Sequence, residues 1–123
     1  MRVKDAVGRF GEELAVAHLR AAGMEVLARN WRCREGELDV VARDGTELVF
    51  VEVKTRSSTG FGVPAEAVDR AKSARIRHLA LRWLMERRDE GDTQWWSALR
   101  FDVVAVVRRA SDGPSVTHLR AAF

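Results

Sequence analysis

The 123-residue sequence predicts a mixed α/β fold, in which a β-sheet is flanked by helices in the order α-β-β-β-α-β-β. Three observations carry this prediction. Two long segments show helical periodicity, five shorter segments have the composition or apolar pattern of strands, and an Asp-Gly pair separates two of the latter. A chain of this length suits one hydrophobic core, so residues 1–123 are predicted to form a single domain.

The first helix is predicted over residues 5–22. Apolar residues recur there at three- and four-residue spacing: Val7, Phe10, Leu14, Ala17 and Ala21. Gly23 supplies a stop for this helix. A short strand should follow at residues 25–29, and then a loop that runs from residue 30 to residue 36.

A β-hairpin is predicted next, because residues 38–43 and 47–55 are rich in β-branched residues and flank Asp44-Gly45, a strong signal for a two-residue turn. If Asp44 and Gly45 form that turn, Val41 faces Leu48, Asp39 faces Phe50, and Glu37 faces Glu52. Side chains alternate along a strand, so Glu37 and Asp39 should share one face with Glu52 and Lys54.

The remaining elements follow from composition and periodicity. Residues 56–64 contain glycine, serine and proline without periodicity and predict an irregular loop. A second helix is predicted from residue 65 to about residue 88, with apolar residues on one face: Val68, Ile76, Leu79, Ala80 and Trp83. Two strands should complete the sheet at residues 99–109 and 115–119, separated by a turn at residues 111–114.

Composition excludes several classes of protein. The longest apolar runs, such as residues 103–107, are too short to span a bilayer, and the first residues lack a secretory signal, so a cytoplasmic location is predicted. Cys33 is the single cysteine, which excludes an internal disulfide or a thiolate zinc cage within one chain. The net charge of +3 suits a polyanionic partner, although genome base composition explains an arginine-rich sequence equally well.

The predicted hairpin brings together the residues with the clearest chemistry. Glu37 opposite Glu52 is unfavourable in an ordinary sheet, with Asp39 on the diagonal, so a cation should lie between the carboxylates. Mg²⁺ suits this place because it takes one or two protein carboxylates and fills its other positions with water and phosphate oxygens. Lys54 would lie beside the ion, where its charge stabilises a nucleophile or a developing negative charge.

An exposed ion pair between Glu52 and Lys54 is the alternative interpretation of this pattern, and such pairs contribute little. Val49, Val51 and Val53 lie on one face of the strand, however, and Leu48 and Phe50 on the other. The strand is therefore predicted to be buried on both sides. Burial of a charged group costs free energy, so a buried charge is expected to be paired or to serve a function. This favours a site over an exposed ion pair.

Both helices carry a charged residue within an apolar stripe. Glu12 falls with Ala15, Val16 and Leu19, and is equally compatible with pointing into a site or with a solvated helix edge. Lys72 falls between Val68, Ile76 and Leu79, and snorkelling to solvent is its alternative. Other candidates have a structural interpretation at least as common as a functional one: Arg70, Arg77 and Arg88 on the second helix, Trp95, Trp96 and Asp102.

Four short motifs occur in order along the chain: Gly8-Arg9-Phe10-Gly11-Glu12, Gly36-Glu37-Leu38-Asp39, Phe50-Val51-Glu52-Val53-Lys54-Thr55-Arg56 and Arg100-Phe101-Asp102. With them, the sequence resembles the YraN-like family of small bacterial proteins over nearly its whole length. That family is similar to restriction-endonuclease-like nucleases, whose Asp and Glu-x-Lys pattern corresponds to Asp39, Glu52 and Lys54, and to archaeal Holliday-junction resolvases.

The resemblance implies a restriction-endonuclease-like sheet that binds Mg²⁺ or Mn²⁺ between Asp39, Glu52 and the Val53 carbonyl. It also implies that Glu12 corresponds to the helical glutamate of the resolvases, and it suggests branched DNA as substrate and a homodimer. The leading prediction is a metal-dependent endonuclease in which Lys54 acts electrostatically and Glu12 and Glu37 assist. The residues expected to contact nucleic acid are Arg56, Arg70, Lys72 and Arg77.

Two alternatives to this function stay open. A noncatalytic module could bind nucleic acid in the same pocket, with an affinity that depends strongly on salt. An interaction protein could instead use the charged strand residues as an internal ion-pair network.

Overall fold

The computed structural model describes residues 3–56, 68–108 and 113–123, with side chains from residue 8 onward. It confirms the α/β fold and the order of its elements. They are α1 (Val3–Ala21), β1 (Glu25–Cys33), β2 (Gly36–Asp44), β3 (Glu47–Arg56), α2 (Arg70–Asp89), β4 (Ala98–Val107) and β5 (Ser115–Leu119). The predicted loop at residues 57–64, the predicted start of the second helix at 65–67 and part of the last turn lie outside the described residues.

The five strands form one mixed sheet in the order β1-β2-β3-β4-β5. All neighbours are antiparallel except β3 and β4, which run parallel. A parallel pair needs a long connection that returns the chain to the same end of the sheet, and α2 lies within that connection. None of the helices among the described residues is both long and apolar enough to span a membrane.

Each face of the sheet is covered by one helix. Ala15, Val16 and Leu19 of α1 pack on one face against β-branched and small residues: Val40, Ala42, Val49, Val51, Val104 and Val106. Ile76, Leu79, Ala80 and Trp83 of α2 pack on the other face against mostly larger residues: Leu38, Val41, Leu48, Phe50 and Phe101. The central strand β3 is therefore buried on both sides, as its sequence predicts.

The predicted register of the hairpin is wrong by two residues. Asp44 pairs with Glu47, Val41 faces Phe50, and the turn consists of Gly45 and Thr46. Gly45 has a φ of 62° at the first turn position, where glycine carries no steric penalty. The predicted pairs of Asp39 with Phe50 and of Glu37 with Glu52 do not form, and Glu37 instead pairs with Arg32 of β1.

Two element boundaries also differ from prediction. Strand β1 continues to Cys33 through residues predicted as loop, because pairing with β2 satisfies a backbone whose side chains are largely polar. Helix α2 begins at Arg70, so Val68 and Asp69, predicted as helical, precede it. The Asp69 carboxylate accepts a hydrogen bond of 2.8 Å from the Lys72 backbone N–H and acts as the N-cap.

Candidate active site

The site lies where β2 and β3 separate. Their ladder ends at the pair Val40 and Val51, and the next residue outward on β2 is Asp39. Its Oδ2 atom accepts a hydrogen bond of 2.9 Å from the Val53 backbone N–H. Leu38 packs towards α2 and Val40 towards α1, so the alternation of side chains is interrupted at Asp39. The carboxylate thus closes the end of the ladder in place of a backbone carbonyl.

Glu52 lies on β3 next to this point, and only 12% of its side chain is exposed. Its Oε1 atom is 2.7 Å from the Lys72 Nζ atom and 3.5 Å from the Lys54 Nζ atom. Two ammonium groups, one from β3 and one from α2, therefore face a single carboxylate oxygen. The structure thus brings Glu52 together with Lys54, as predicted, and adds Lys72.

Burial and neighbouring negative charge dominate the electrostatics of Asp39. Burial raises the pKa of Asp39, the charge of Glu52 and a hydrogen bond with it raise it further, and the Val53 N–H opposes the shift; the result is a pKa of about 7. The charge of Glu37 adds the smallest contribution. Additional positive charge close to Asp39 would therefore favour its ionised form.

The two lysines respond to each other as well as to the carboxylates. Burial lowers the pKa of Lys54, the nearby Lys72 ammonium lowers it further, and Glu52 opposes the shift. Burial also acts to lower the pKa of Lys72, but the hydrogen bond and charge of Glu52 outweigh it, so the pKa is raised overall. Of the two lysines, Lys72 also makes the closer ion pair with Glu52.

The donor set fits a hard divalent cation. Asp39 and Glu52 offer two adjacent carboxylates, and the Val53 carbonyl offers a backbone oxygen on the strand between Glu52 and Lys54. Across residues 8–56, 68–108 and 113–123, no three His, Cys, Asp or Glu side chains form a ready metal cage. Two carboxylates completed by water and substrate oxygens are the usual ligands of Mg²⁺, so the residues fit that ion.

Glu12, predicted to point into the site, lies in a polar cluster beside it. The Glu12 carboxylate accepts hydrogen bonds from the Asn30 Nδ2 atom at 2.7 Å and the Arg29 Nη2 atom at 3.0 Å. Asn30 follows Arg29, which pairs with Val40, and precedes Trp31, which pairs with Leu38, so Asn30 is adjacent to Asp39 across the sheet. Glu12 therefore reaches the strand next to Asp39 rather than a solvated helix edge.

The remaining sequence candidates lie at different places around the fold. The Glu37 Oε2 atom accepts a hydrogen bond from the Arg32 Nε atom, so an arginine partly neutralises this carboxylate. Arg70 is exposed at the start of α2, and Arg56 ends β3. The Arg77 guanidinium lies over the Phe101 ring, 4.4 Å from its centroid, and has a packing role that its position on the helix does not reveal.

Close packing fixes the position of α1 relative to the site. A Cβ atom on Gly11 would lie 1.7 Å from the Thr55 Oγ1 atom, so only glycine allows this approach. Thr55 directly follows Lys54 on β3, and Glu12 directly follows Gly11 on α1. The Gly11-Glu12 pair of the sequence motif thus has two functions, since glycine sets the helix against β3 and glutamate joins the cluster with Asn30.

A second buried carboxylate, Asp102 on β4, was open to a structural or a functional interpretation. It is fully buried and accepts hydrogen bonds of 2.9 Å from Arg100 Nε, Arg100 Nη2 and the Ala121 backbone N–H. The His118 Nε2 atom lies 2.8 Å from the Oδ2 atom of Asp102. The protein itself therefore supplies partners to both oxygens of Asp102, as in a structural ion-pair network.

Fold and site together define an α/β protein with a carboxylate–lysine cluster at the end of a mixed sheet. The family model of "Uncharacterised protein family UPF0102" matches residues 11–106, and the chain belongs to this family. It is 55% identical to a UPF0102 protein of Acidothermus cellulolyticus, over 98% of this chain and 95% of that one. It is 59% identical to one of Frankia alni, over 100% of this chain and 98% of that one.

Proposed function

We propose that this protein is a metal-dependent endonuclease that hydrolyses phosphodiester bonds in nucleic acid, with DNA as the substrate. The observation that carries the proposal is the pairing of Asp39 and Glu52. Burial and the neighbouring Glu52 charge raise the pKa of Asp39 to about 7, and two lysines lie alongside Glu52 where β2 and β3 separate. Such a cluster suits a divalent cation and a phosphate together.

Each residue has a distinct role in this proposal. Asp39, Glu52 and the Val53 carbonyl would hold Mg²⁺ or Mn²⁺, which supplies Lewis-acid polarisation of a phosphoryl oxygen and lowers the pKa of bound water. Lys54 stays within 3.5 Å of Glu52 and provides positive charge where negative charge develops during hydrolysis. The Val53 N–H holds Asp39 in place through its hydrogen bond.

Substrate binding is proposed to use positive charge around the site. Arg56, Arg70, Lys72 and Arg77 are the proposed contacts to the phosphate backbone, and the net charge of +3 favours a polyanion. Branched DNA and a homodimer that cuts two strands symmetrically are proposals that come from the resemblance to resolvases. Sedimentation of the purified protein with and without a four-way junction tests both.

A noncatalytic nucleic-acid-binding module is the second candidate. Lys72 and Lys54 already neutralise Glu52 without any metal, which is the arrangement expected if the carboxylates only orient the lysines towards phosphates. In that case binding is independent of divalent cations and falls steeply with salt.

The test is cleavage of end-labelled linear, flapped and four-way-junction DNA in Mg²⁺ or Mn²⁺, comparing wild type with Asp39→Ala. The proposed nuclease cuts at least one substrate, and the variant does not. Retained binding without cleavage of any substrate would favour the noncatalytic module. Lys54→Ala separates both from a purely structural network, because a nuclease loses cleavage with a nearly intact fold.

A further inference from the structure

Glu52 makes its shortest ion pair with a residue outside the Glu-x-Lys motif. The Lys72 Nζ atom is 2.7 Å from Oε1, whereas the Lys54 Nζ atom is 3.5 Å from the same oxygen. Only 12% of the Glu52 side chain and 24% of the Lys72 side chain are exposed, so solvent screens this pair less than a surface one. Lys72 is therefore the principal counter-ion of Glu52 in the structure.

The position of Lys72 on its helix favours a contact with an anion. Lys72 is the third residue of α2, and the first turn of α2 carries no acidic side chain. The N-terminal end of a helix has positive polarity, which disfavours a cation unless an anion faces it. In this structure the Asp69 carboxylate caps the helix backbone, and Glu52 is the anion that faces the Lys72 ammonium; a phosphate oxygen would serve that ammonium in the same way.

A metal ion and the Lys72 ammonium compete for the same carboxylate. Both carry positive charge, and the Oε1 atom that Lys72 contacts belongs to one of only two acidic side chains of the proposed metal site. Lys54 lies on the same strand as Glu52 and contacts it at a longer distance, whereas Lys72 reaches in from the opposing helix. Lys72 is therefore the group whose withdrawal releases Glu52.

We propose that Lys72 is a positioning residue that holds Glu52 until a phosphate of the nucleic acid attracts the ammonium, so that metal binding and substrate binding are coupled. The inference rests on the proposed function and adds a regulatory step to it. Since coupling between two sites is reciprocal, nucleic acid must increase metal affinity by the same factor as metal increases nucleic-acid affinity.

The experiment measures Mn²⁺ binding to the full chain by the electron paramagnetic resonance signal of the free ion. It compares wild type, Lys72→Met and Arg75→Met. Met approximates the length of lysine without its charge, and Arg75 is an exposed cation one turn further along α2 than Lys72, the residue that pairs with Glu52. A third variant, Asp39→Ala, reports whether Mn²⁺ occupies the proposed site.

We expect Lys72→Met to bind Mn²⁺ more tightly than wild type by roughly 5- to 150-fold, the range of typical coupling between sites. Arg75→Met should stay within about twofold of wild type because an exposed charge is screened. A phosphorothioate-linked DNA duplex, which resists hydrolysis, should tighten Mn²⁺ binding in wild type and much less in Lys72→Met. Circular dichroism verifies each fold, and Lys72→Gln replaces Lys72→Met if the latter is unfolded.

Two results would overturn the inference, and they differ in what else they affect. If Asp39→Ala weakens Mn²⁺ binding but Lys72→Met binds Mn²⁺ no more tightly than Arg75→Met, the coupling through Lys72 is wrong and the metal site stands. If Asp39→Ala binds Mn²⁺ as wild type does, the ion does not occupy this site, and the proposed function fails together with the inference.

Discussion

Asp39 and Asp102 lie on the two strands that flank β3, yet their surroundings move their pKa values in opposite directions. Burial acts to raise the pKa of Asp102, but hydrogen bonds from Arg100, Ala121 and His118 outweigh it and lower the pKa overall. Asp39 accepts a hydrogen bond from the Val53 N–H, but burial and the neighbouring Glu52 carboxylate outweigh it and raise the pKa of Asp39 to about 7. A carboxylate satisfied by the protein stabilises the fold, whereas one left beside another carboxylate is available for a ligand.

The largest effect that this comparison predicts is on cleavage. Glu52→Gln keeps the shape of the side chain but removes its charge, and we expect the rate to fall about a thousandfold, since a metal ion contributes several kcal/mol to catalysis. Single-turnover cleavage of the preferred substrate measures the loss. A Glu52→Gln protein that is folded and cleaves at the wild-type rate would remove Glu52 from the site.

Asp102 should show the opposite behaviour, with a large effect on stability. Asp102→Asn removes a buried charge that pairs with Arg100 and should cost about 3 kcal/mol of unfolding free energy, the low end for a broken buried ion pair. The low end applies because Asp44 and Glu47 still contact Arg100, at 2.9 and 3.0 Å. Urea unfolding at pH 7 measures the loss, with Asp39→Asn as the control expected to lose little or nothing.

The close approach of α1 to β3 gives a smaller effect with a matched control. Gly11→Ala places a Cβ atom against Thr55 and should destabilise the protein by about 2 kcal/mol, as overpacking does. Gly8→Ala, in the same helix but with open space around the added atom, should instead stabilise it by about 0.5–1 kcal/mol. Equal effects of the two substitutions in thermal unfolding would contradict the described packing of α1.

The smallest predicted effect is a dependence of stability on pH. Because burial and Glu52 raise the pKa of Asp39 to about 7, the folded protein keeps a proton that the unfolded chain releases near pH 4. Stability contributed by this group is therefore full below about pH 4 and is lost as pH rises towards 7. Unfolding in a metal chelator should show Asp39→Asn gaining about 1 kcal/mol relative to wild type between pH 6 and pH 7. The opposite sign would mean that the Asp39 pKa is lowered.

Sequence periodicity was sufficient to predict the fold, because the apolar stripes of the two helices and the β-branched strands directly reflect a core on both faces of the sheet. Hairpin register was not predictable from Asp44-Gly45, since the same dipeptide allows a turn that begins at Asp44 or at Gly45. The error of two residues left each side chain of the paired region on its predicted face, as the period of a strand is two. For this reason the sequence predicted the face on which Glu52 and Lys54 lie, although it paired Glu37 with Glu52 instead of with Arg32.

The contacts of the site depend on nonlocal packing that no local pattern specifies. The sequence shows Lys72 as a cation within an apolar stripe. Its pairing with Glu52, however, depends on how α2 packs over β3. His118 and Ala121 lie 16 and 19 residues after Asp102 and meet it only through the pairing of β4 with β5 and the chain that follows. The interrupted alternation at Asp39 likewise has no signature in the residues themselves.

The most direct test of the difference between Asp39 and Asp102 is thermal unfolding over a range of Mg²⁺ concentrations. A ligand that binds only the folded state stabilises it by about 2.7 kcal/mol at 100 times its dissociation constant. We predict that Mg²⁺ raises the melting temperature of wild type, leaves that of Asp39→Asn unchanged, and raises that of the less stable Asp102→Asn by the wild-type increment. A wild-type protein that Mg²⁺ does not stabilise, or an Asp39→Asn protein stabilised equally, would contradict a metal site at Asp39 and Glu52.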